Sequence, residues 1–515
     1  MEISLLYVGF AFLVVSLPWF MKFLEKFWLR PKRLEHALRT QGLTGTPYRF
    51  PFGDMLQFVE LRQAAYAKPM PLSHDIIPRV APYFQRVINQ HGKKAFAWFD
   101  QEPTVFLNDP ESVWHVLTKQ QNIFVKPEQD KSLKLLLPGL FEHQGEKWNK
   151  HRRIINTAFH LEKLKLMLPA FSKCCEELIS KWDKLIDSKE FSELDVLPEF
   201  KAFTADVISR TAFGSSFEKG RRIFELQQEL VILVIEAFFM NSYIPLYSYL
   251  PTKKNMRMKE LNREVETILR DMIEQREKAM INGEATSNDL LGILLETNIR
   301  ESQEGGIKNA MTTKDVIDEC KLFYIAGHET TTASLTWALI LLSMYPEWQE
   351  RAREEILNLF GDLQPDYDGL SQLKIVTMIM HEVMRLYPPV NFLERRAAAE
   401  VKLGEVTYPP GVRFMLPYVF LHRNPETWGP NADEFNPERF AQGIAKASVQ
   451  GAYLPFSGGP RVCIGQNFSM LEAKLCLVRI LQNFRFELSP SYAHAPYNLL
   501  TMQPQYGAQI IIRRC

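Results

Sequence analysis

Hydrophobic patterning divides the chain into three unequal stretches. Ile3 to Met21 runs without a charge and, as a helix, would measure about 28 Å, close to one bilayer core. From about residue 80 to 395 apolar positions recur with long helical periods, and no repeat or low-complexity tract divides them. The longest period predicts a helix over Thr313–Met344, roughly 48 Å long. It opens on the capping sequence Thr312-Thr313-Lys314-Asp315 and stops at Tyr345-Pro346. Strand patterning is limited to Thr104–Leu107 and Val401–Leu416, the latter with Gly404, Pro409, Pro410 and Gly411 as turn residues. The fold class expected is mainly α with a minor β component.

Basic residues follow the first apolar run: Lys22, Lys26, Arg30, Lys32 and Arg33 against Glu25. By the positive-inside rule this flank, and all that follows, lies in the cytosol. A cleaved signal peptide would carry its charge before the apolar run and end on small residues, and neither feature is present. Gly42, Gly45, Pro47, Pro51 and Gly53 then interrupt helical continuation. The organisation expected is a transmembrane anchor over 1–22, a basic, Gly/Pro-containing hinge over 23–55 and a catalytic domain over 56–515. Leu230–Leu250 is apolar but broken by Glu236, Asn241 and Pro245, which suits a buried or membrane-skimming wall better than a second span.

In a chain of 515 residues, 61 basic side chains meet 60 acidic ones for a net charge of +1, which leaves no field for a nucleic acid partner. Six cysteines are too few and too scattered for a disulfide scaffold, and none has zinc-motif spacing.

Candidate chemistry concentrates near the C-terminus, in Phe456-Ser457-Gly458-Gly459-Pro460-Arg461-Val462-Cys463-Ile464-Gly465. A thiol placed just before a helix, with Arg461 two residues earlier, is biased toward thiolate, the form that binds metal. Gly459 and Gly465 permit close approach to a flat ligand. A lone cysteine is usually a small buried hydrophobe. Phe-x-x-Gly-x-Arg-x-Cys-x-Gly, however, arises by chance in such a chain with probability on the order of 10⁻⁴. Glu382 and Arg385 share a helix face and form either an ordinary surface pair or, if buried, one that needs further partners. Within the long helix Phe323, Ala326, Gly327 and Thr330 fall on one face. Gly327 costs helix stability, and the Thr330 hydroxyl can bond back to the Ala326 carbonyl and open a groove. Small-residue packing between helices is the alternative.

The cysteine segment resembles the haem-binding loop of the cytochrome P-450 superfamily, in which the cysteine is the axial iron ligand. Glu382-Val383-Met384-Arg385 resembles that family's Glu-x-x-Arg pair, and Phe435-Asn436-Pro437-Glu438-Arg439-Phe440 the segment whose arginine completes a structural triad. Ala326-Gly327-His328-Glu329-Thr330-Thr331 resembles its oxygen-activation motif. The resemblance implies a helical domain with a small β region, haem b bound through Cys463, and Phe456, Gly459, Arg461, Gly465, Ala326 and Gly327 around it. It places Trp148, Arg152 and Arg395 near the haem propionates. It gives Thr330 a hydrogen bond to dioxygen and Glu329 a share in proton delivery, while His328 is more often packed or solvated than a ligand. Asp75–Val80, His422-Arg423-Asn424-Pro425 and Ala495–Asn498 are similar to plant members of the clan that includes secologanin synthase and the gibberellin and brassinosteroid hydroxylases.

The function implied is insertion of one oxygen atom of O2 into a hydrophobic terpenoid, hormone-like or foreign compound such as a herbicide. No nucleotide fingerprint or flavin domain occurs, so NADPH-derived electrons would come through a separate cytochrome P-450 reductase. Lys147, Lys150 and Arg153 form either its docking patch or a solvated face. Substrate-facing candidates are the loop before Trp148, Leu230–Leu250, Phe323, Val390–Phe392 and Leu499–Met502. The location implied is the endoplasmic reticulum membrane, with a single span. A haem-thiolate isomerase or dehydratase would not need Glu329 and Thr330, and a non-catalytic haem binder would not need the groove.

Overall fold

The computed structural model describes residues 16–515 other than 187–189, 215–216, 242, 245–246, 284–288 and 306–309. Residues 1–15 of the expected anchor and Pro245 therefore lie outside the described residues. Residues 16–24 are helical and run through Glu25–Leu29 into the helix Arg30–Thr40. No helix among the described residues is long and apolar enough to cross a membrane. Instead, the described end of the apolar run presents Leu17, Trp19, Phe20, Phe23 and Trp28 to the outside, with Trp19 75% exposed.

The chain forms two compact units. The first is assembled from residues 1–67, 81–127 and 392–417. Its sheet contains β1 (Thr44–Gly45), β2 (Ala95–Phe99), β3 (Glu102–Phe106), β4 (Phe124–Val125), β5 (Phe392–Ala397) and β6 (Arg413–Pro417), in the order β1-β2-β3-β6-β5-β4. β1 lies parallel to β2 and β3 parallel to β6, with Val105 opposite Phe414. Residues 23–55, expected as a hinge, are thus built into this unit. Asp54, buried beside the Gly53 turn, accepts the Trp98 N–H at 3.0 Å and pairs with Arg49 at 3.1 Å, fastening the segment to β2. The strand region expected over Val401–Leu416 is divided by turns at Gly404 and Gly411, both at positive φ, into Val401–Leu403, Val406–Tyr408 and β6.

The second unit, residues 68–80, 128–391 and 418–515, is mainly helical. Its elements used below are α1 (Gly145–Asn156), α2 (Val196–Phe213), α3 (Thr313–Met344), α4 (Ile375–Leu386) and α5 (Gln466–Asn483). α3 begins on a complete capping box: the Thr312 hydroxyl accepts the Asp315 N–H, and the Asp315 carboxylate accepts the Thr312 N–H at 3.0 Å. It ends before Pro346, whose ring disfavours helical geometry at Tyr345. Most of its side chains are buried all round, so it is the core of the unit rather than an amphipathic surface helix. The six cysteines are free thiols, and Cys174 hydrogen-bonds Asp206 of α2 at 3.3 Å.

Candidate functional site

The loop before α5 is wound tightly. Ser457 and Gly459 both have positive φ, a turn closes over Gly459–Arg461, and the Cys463 N–H donates to the Phe456 carbonyl at 2.9 Å. This closure leaves the Cys463 side chain exposed, within a loop that still desolvates its thiol. Burial pushes the thiol pKa up. The Gly465 N–H and the Arg152 guanidinium pull the other way. The favourable charge therefore comes from Arg152 of α1, 311 positions away along the chain by number, and the sequence expectation centred on Arg461 is corrected. Arg461 lies over the Trp148 ring at 4.5 Å and donates to the His143 carbonyl at 2.9 Å, so it clamps the loop to α1. Gly465 is open: a Cβ there would meet only Cys463 Sγ and Phe159, each at 4.0 Å.

The same kind of opening interrupts α3. Ala326 is exposed, and Gly327 and Thr330 half-buried, in a stretch where Lys321–Ile325 and Thr331–Ala333 are buried. The Thr330 hydroxyl donates to the Ala326 carbonyl at 2.8 Å, as its spacing predicts. α3 and α5 are joined by Thr331–Ser469 at 3.0 Å, and Phe159 bridges Phe323 and Phe468 with ring separations of 5.6 and 6.3 Å. Phe323, expected to face substrate, thus belongs to this aromatic seam. Gly327 has a packing reason: a Cβ would stand 2.9 Å from the Ile208 side chain of α2. His328 is buried against Phe224, with its pKa lowered by burial. Glu329 is held by residues the sequence did not suggest. Its carboxylate accepts from Gln503 at 2.6 Å and Thr501 at 3.3 Å, which draws it toward the hairpin Pro496–Asn498/Met502–Pro504.

Glu382 and Arg385 are completely buried on α4 and paired through two hydrogen bonds of 2.7 and 2.8 Å. Arg385 also donates to the carbonyls of His422, Ala432 and Glu434, and its guanidinium lies 5.0 Å from the Trp428 ring centre. Glu382 accepts the Asn436 N–H at 2.8 Å and has Arg439 at 3.5 Å; Arg439 donates to the Trp428 and Asn431 carbonyls. His422 extends the network, because its ring accepts the Leu454 N–H at 2.9 Å, two residues before Phe456. The pair expected from three-residue spacing is therefore the buried alternative, satisfied on all sides.

Burial pushes the pKa of both His422 and His74 down to about 3, and the flanking Arg423 adds to the shift in each. An unfolded histidine titrates near 6.5. Between about pH 6.5 and 3 the unfolded chain therefore takes up protons that the native state refuses. Stability is present above this window and falls with pH through it, by about 1.4 kcal/mol per histidine per pH unit. Urea midpoints are expected to fall from pH 7.5 to 5.5; a midpoint that rose on acidification would refute this account.

The remaining expectations separate. Arg395 stands on β5 in the first unit, buried, donating to the Glu394 carbonyl at 2.8 Å. Lys147 and Arg153 are exposed, in line with the solvated face, and each is engaged by a neighbouring carboxylate. Lys147 pairs with Asp315 at 2.7 Å, Lys150 donates to the Ala310 carbonyl at 2.8 Å, and Arg153 pairs with Glu301 at 2.7 Å. Within the expected apolar wall, the helix Phe217–Asn241 buries Leu230, Val231, Val234 and Ala237 and leaves Ile232 and Phe238 exposed.

These residues fit a haem. Arg152 is half withdrawn from water, has no carboxylate partner among the described residues, and lies close enough to Cys463 for each to affect the other's ionisation. A cation so placed suits an anionic edge of a ligand whose metal is bound by the thiol. The comparisons agree over nearly the whole chain. A family model described as Cytochrome P450 matches residues 79–511. "Cytochrome P450 CYP72A616" of Paris polyphylla is 53% identical over 508 residues, covering 98% of each chain. "Cytochrome P450 72A68" of Medicago truncatula is 50% identical over 490 residues, covering 95% of this chain and 94% of its own. "Cytochrome P450 72A15" of Arabidopsis thaliana is 48% identical over 517 residues, covering all of both. Full-length similarity on this scale, added to a cysteine loop and an opened helix of the kind just described, makes this chain a member of the cytochrome P450 family and a P450 monooxygenase.

Proposed function

We propose that the chain is an endoplasmic reticulum monooxygenase, anchored by residues 1–22 with its catalytic part in the cytosol. It inserts one oxygen atom of O2 into a hydrophobic terpenoid, hormone-like or foreign compound, using electrons that NADPH supplies through a separate reductase. The observation that carries the reading is the exposed Cys463 thiol at the end of its wound loop, in a unit whose central helix is exposed at Ala326 and half-buried at Thr330. The exposed Leu17, Trp19, Phe20, Phe23 and Trp28 support a membrane-facing end, since aromatic side chains gather at bilayer interfaces.

Haem, when bound, supplies the one-electron and dioxygen chemistry. The protein's part begins with Cys463, whose sulfur would bind the iron, and Arg152 and Trp148, which would hold the propionates. Phe456, Gly459, Arg461 and Gly465 shape the loop that would hold the haem, and the exposed Ala326 would leave room for it on α3, where Gly327 packs against Ile208. The Thr330 hydroxyl, bonded to the Ala326 carbonyl, is a proton donor held at the groove. Glu329, held by Gln503 and Thr501, would share in proton delivery. The apolar walls exclude water and orient substrate.

Thr330→Ala is expected to keep haem and divert electrons to hydrogen peroxide, lowering product formed per NADPH by about 10²-fold at most. Product, NADPH and peroxide measured together check this, and full coupling would overturn the role. The substrate class is tested by titrating the haem-loaded protein with terpenoids, plant hormones and herbicides while following the Soret band. A saturable shift identifies the class; no shift with any of the three refutes the proposed class.

A further inference from the structure

Spacing along the chain offers no zinc motif, but the fold gathers one. His143, in the loop before α1, His151 on α1 and Glu319 on α3 each offer a ligand atom within 4.8 Å of the other two. His151 is fully buried, and its Nδ1 lies 2.6 Å from Glu319 Oε1. The other carboxylate oxygen accepts the Leu140 N–H at 3.0 Å. Gly139, at positive φ, brings that backbone so close that a Cβ there would stand 2.7 Å from Glu319 Oε2. The carboxylate is thus fixed from behind, and an ionised Glu319 accepting from Nδ1 leaves the His151 Nε2 lone pair free. That Nε2 has no hydrogen-bond partner, and neither has Nε2 of His143; both are buried atoms. The two imidazole rings meet edge to face, with centroids 4.5 Å apart. Asp315 Oδ1, one helical turn before Glu319, lies 3.8 Å from His151 Nε2.

We propose that His143 and His151, the latter oriented by Glu319, form a binding site for one divalent transition cation of the zinc type, distinct from the haem iron. Two imidazole nitrogens, with the Asp315 carboxylate 3.8 Å from one of them, are a borderline-soft donor set that suits zinc and its neighbours over calcium or magnesium. A histidine whose second nitrogen is oriented by a carboxylate is the arrangement metal sites use to hold a ligand ring. Two unpartnered nitrogens in a buried place are otherwise an unmet polar cost. A cation here ties α1 to α3, and through the His143 carbonyl it also bears on Arg461 and the cysteine loop.

The test uses the full, haem-loaded chain, stripped of loosely bound metal with a chelator and then titrated with zinc chloride by equilibrium dialysis. The expected result is one variant-sensitive equivalent of zinc, with affinity falling about 10- to 100-fold in His143→Gln. His143 is only half-buried, so this substitution spares the buried His151–Glu319 pair. Thermal midpoints measured alongside should rise with zinc in the parent protein and not in the variant. Zinc X-ray absorption should show two imidazole nitrogens. Equal zinc uptake by parent and variant, no uptake by either, or a spectrum without histidine ligation would each overturn the proposal.

Discussion

Cys463→Ser is expected to abolish the thiolate Soret signature and monooxygenase turnover together while leaving the fold in place. The loop's shape does not depend on sulfur: the Cys463 N–H to Phe456 carbonyl bond, the Gly459–Arg461 turn and the Arg461–Trp148 contact are all made by other atoms. What changes is the donor. Burial pushes the Cys463 thiol up, so a proton is held there until metal displaces it, with Arg152 and the Gly465 N–H assisting. A serine hydroxyl in the same enclosure is a far weaker acid and a harder ligand. Spectra of the reduced, carbon monoxide-treated protein, with circular dichroism as the control for folding, check the prediction. A thiolate-type band that survived the substitution would remove Cys463 from its assigned place.

Glu382→Gln is expected to destabilise the protein by about 3–5 kcal/mol, the scale for removing one member of a buried ion pair. Such a loss is a large share of the stability of an ordinary domain, and the outcome should be poor haem retention and a lowered unfolding midpoint. Glu382 is the acceptor for Arg385 and for the Asn436 N–H, with Arg439 also facing it. Gln at this position keeps shape but loses the charge opposite two guanidinium groups. Arg439→Met should cost less, because Arg439 is only partly buried and its firmest bonds run to the Trp428 and Asn431 carbonyls. Denaturant unfolding of both variants, followed by fluorescence and by haem absorbance, separates them. Equal midpoints for Glu382→Gln and the parent would show that the pair is dispensable.

Much of this was legible before any coordinates. The limits of α3 followed from Thr312, Asp315 and Pro346, whose effects are local. The cysteine loop and the Glu382–Arg385 pair were legible for the same reason: each is a short segment with fixed spacing. β2 was not, because all five residues of Ala95–Phe99 are buried and show no alternation. Over 23–55 the glycine and proline breaks mark the end of a helix, not the absence of later pairing, and Thr44–Gly45 finds its partner in β2. In the site, what stayed hidden was the second half of every long-range contact. Arg152, expected at a propionate, acts on the Cys463 thiol. Gln503 and Thr501 hold Glu329, and His422 joins Arg385 to Leu454, without any motif that announces either job.

The discontinuous make-up of the first unit bears on how the chain is made. β3 pairs on one side with β2, its immediate neighbour in sequence, and on the other with β6, where Val105 lies opposite Phe414. A ribosome adding about 5–20 residues per second delivers β6 about 15–60 s after β3. Throughout that interval Glu102–Phe106 presents an unpaired apolar edge, the kind that recruits other strands. Biosynthesis of this protein therefore includes a waiting period in which the early sheet must be shielded, and the yield of active enzyme should depend on elongation speed and chaperone supply as well as on final stability.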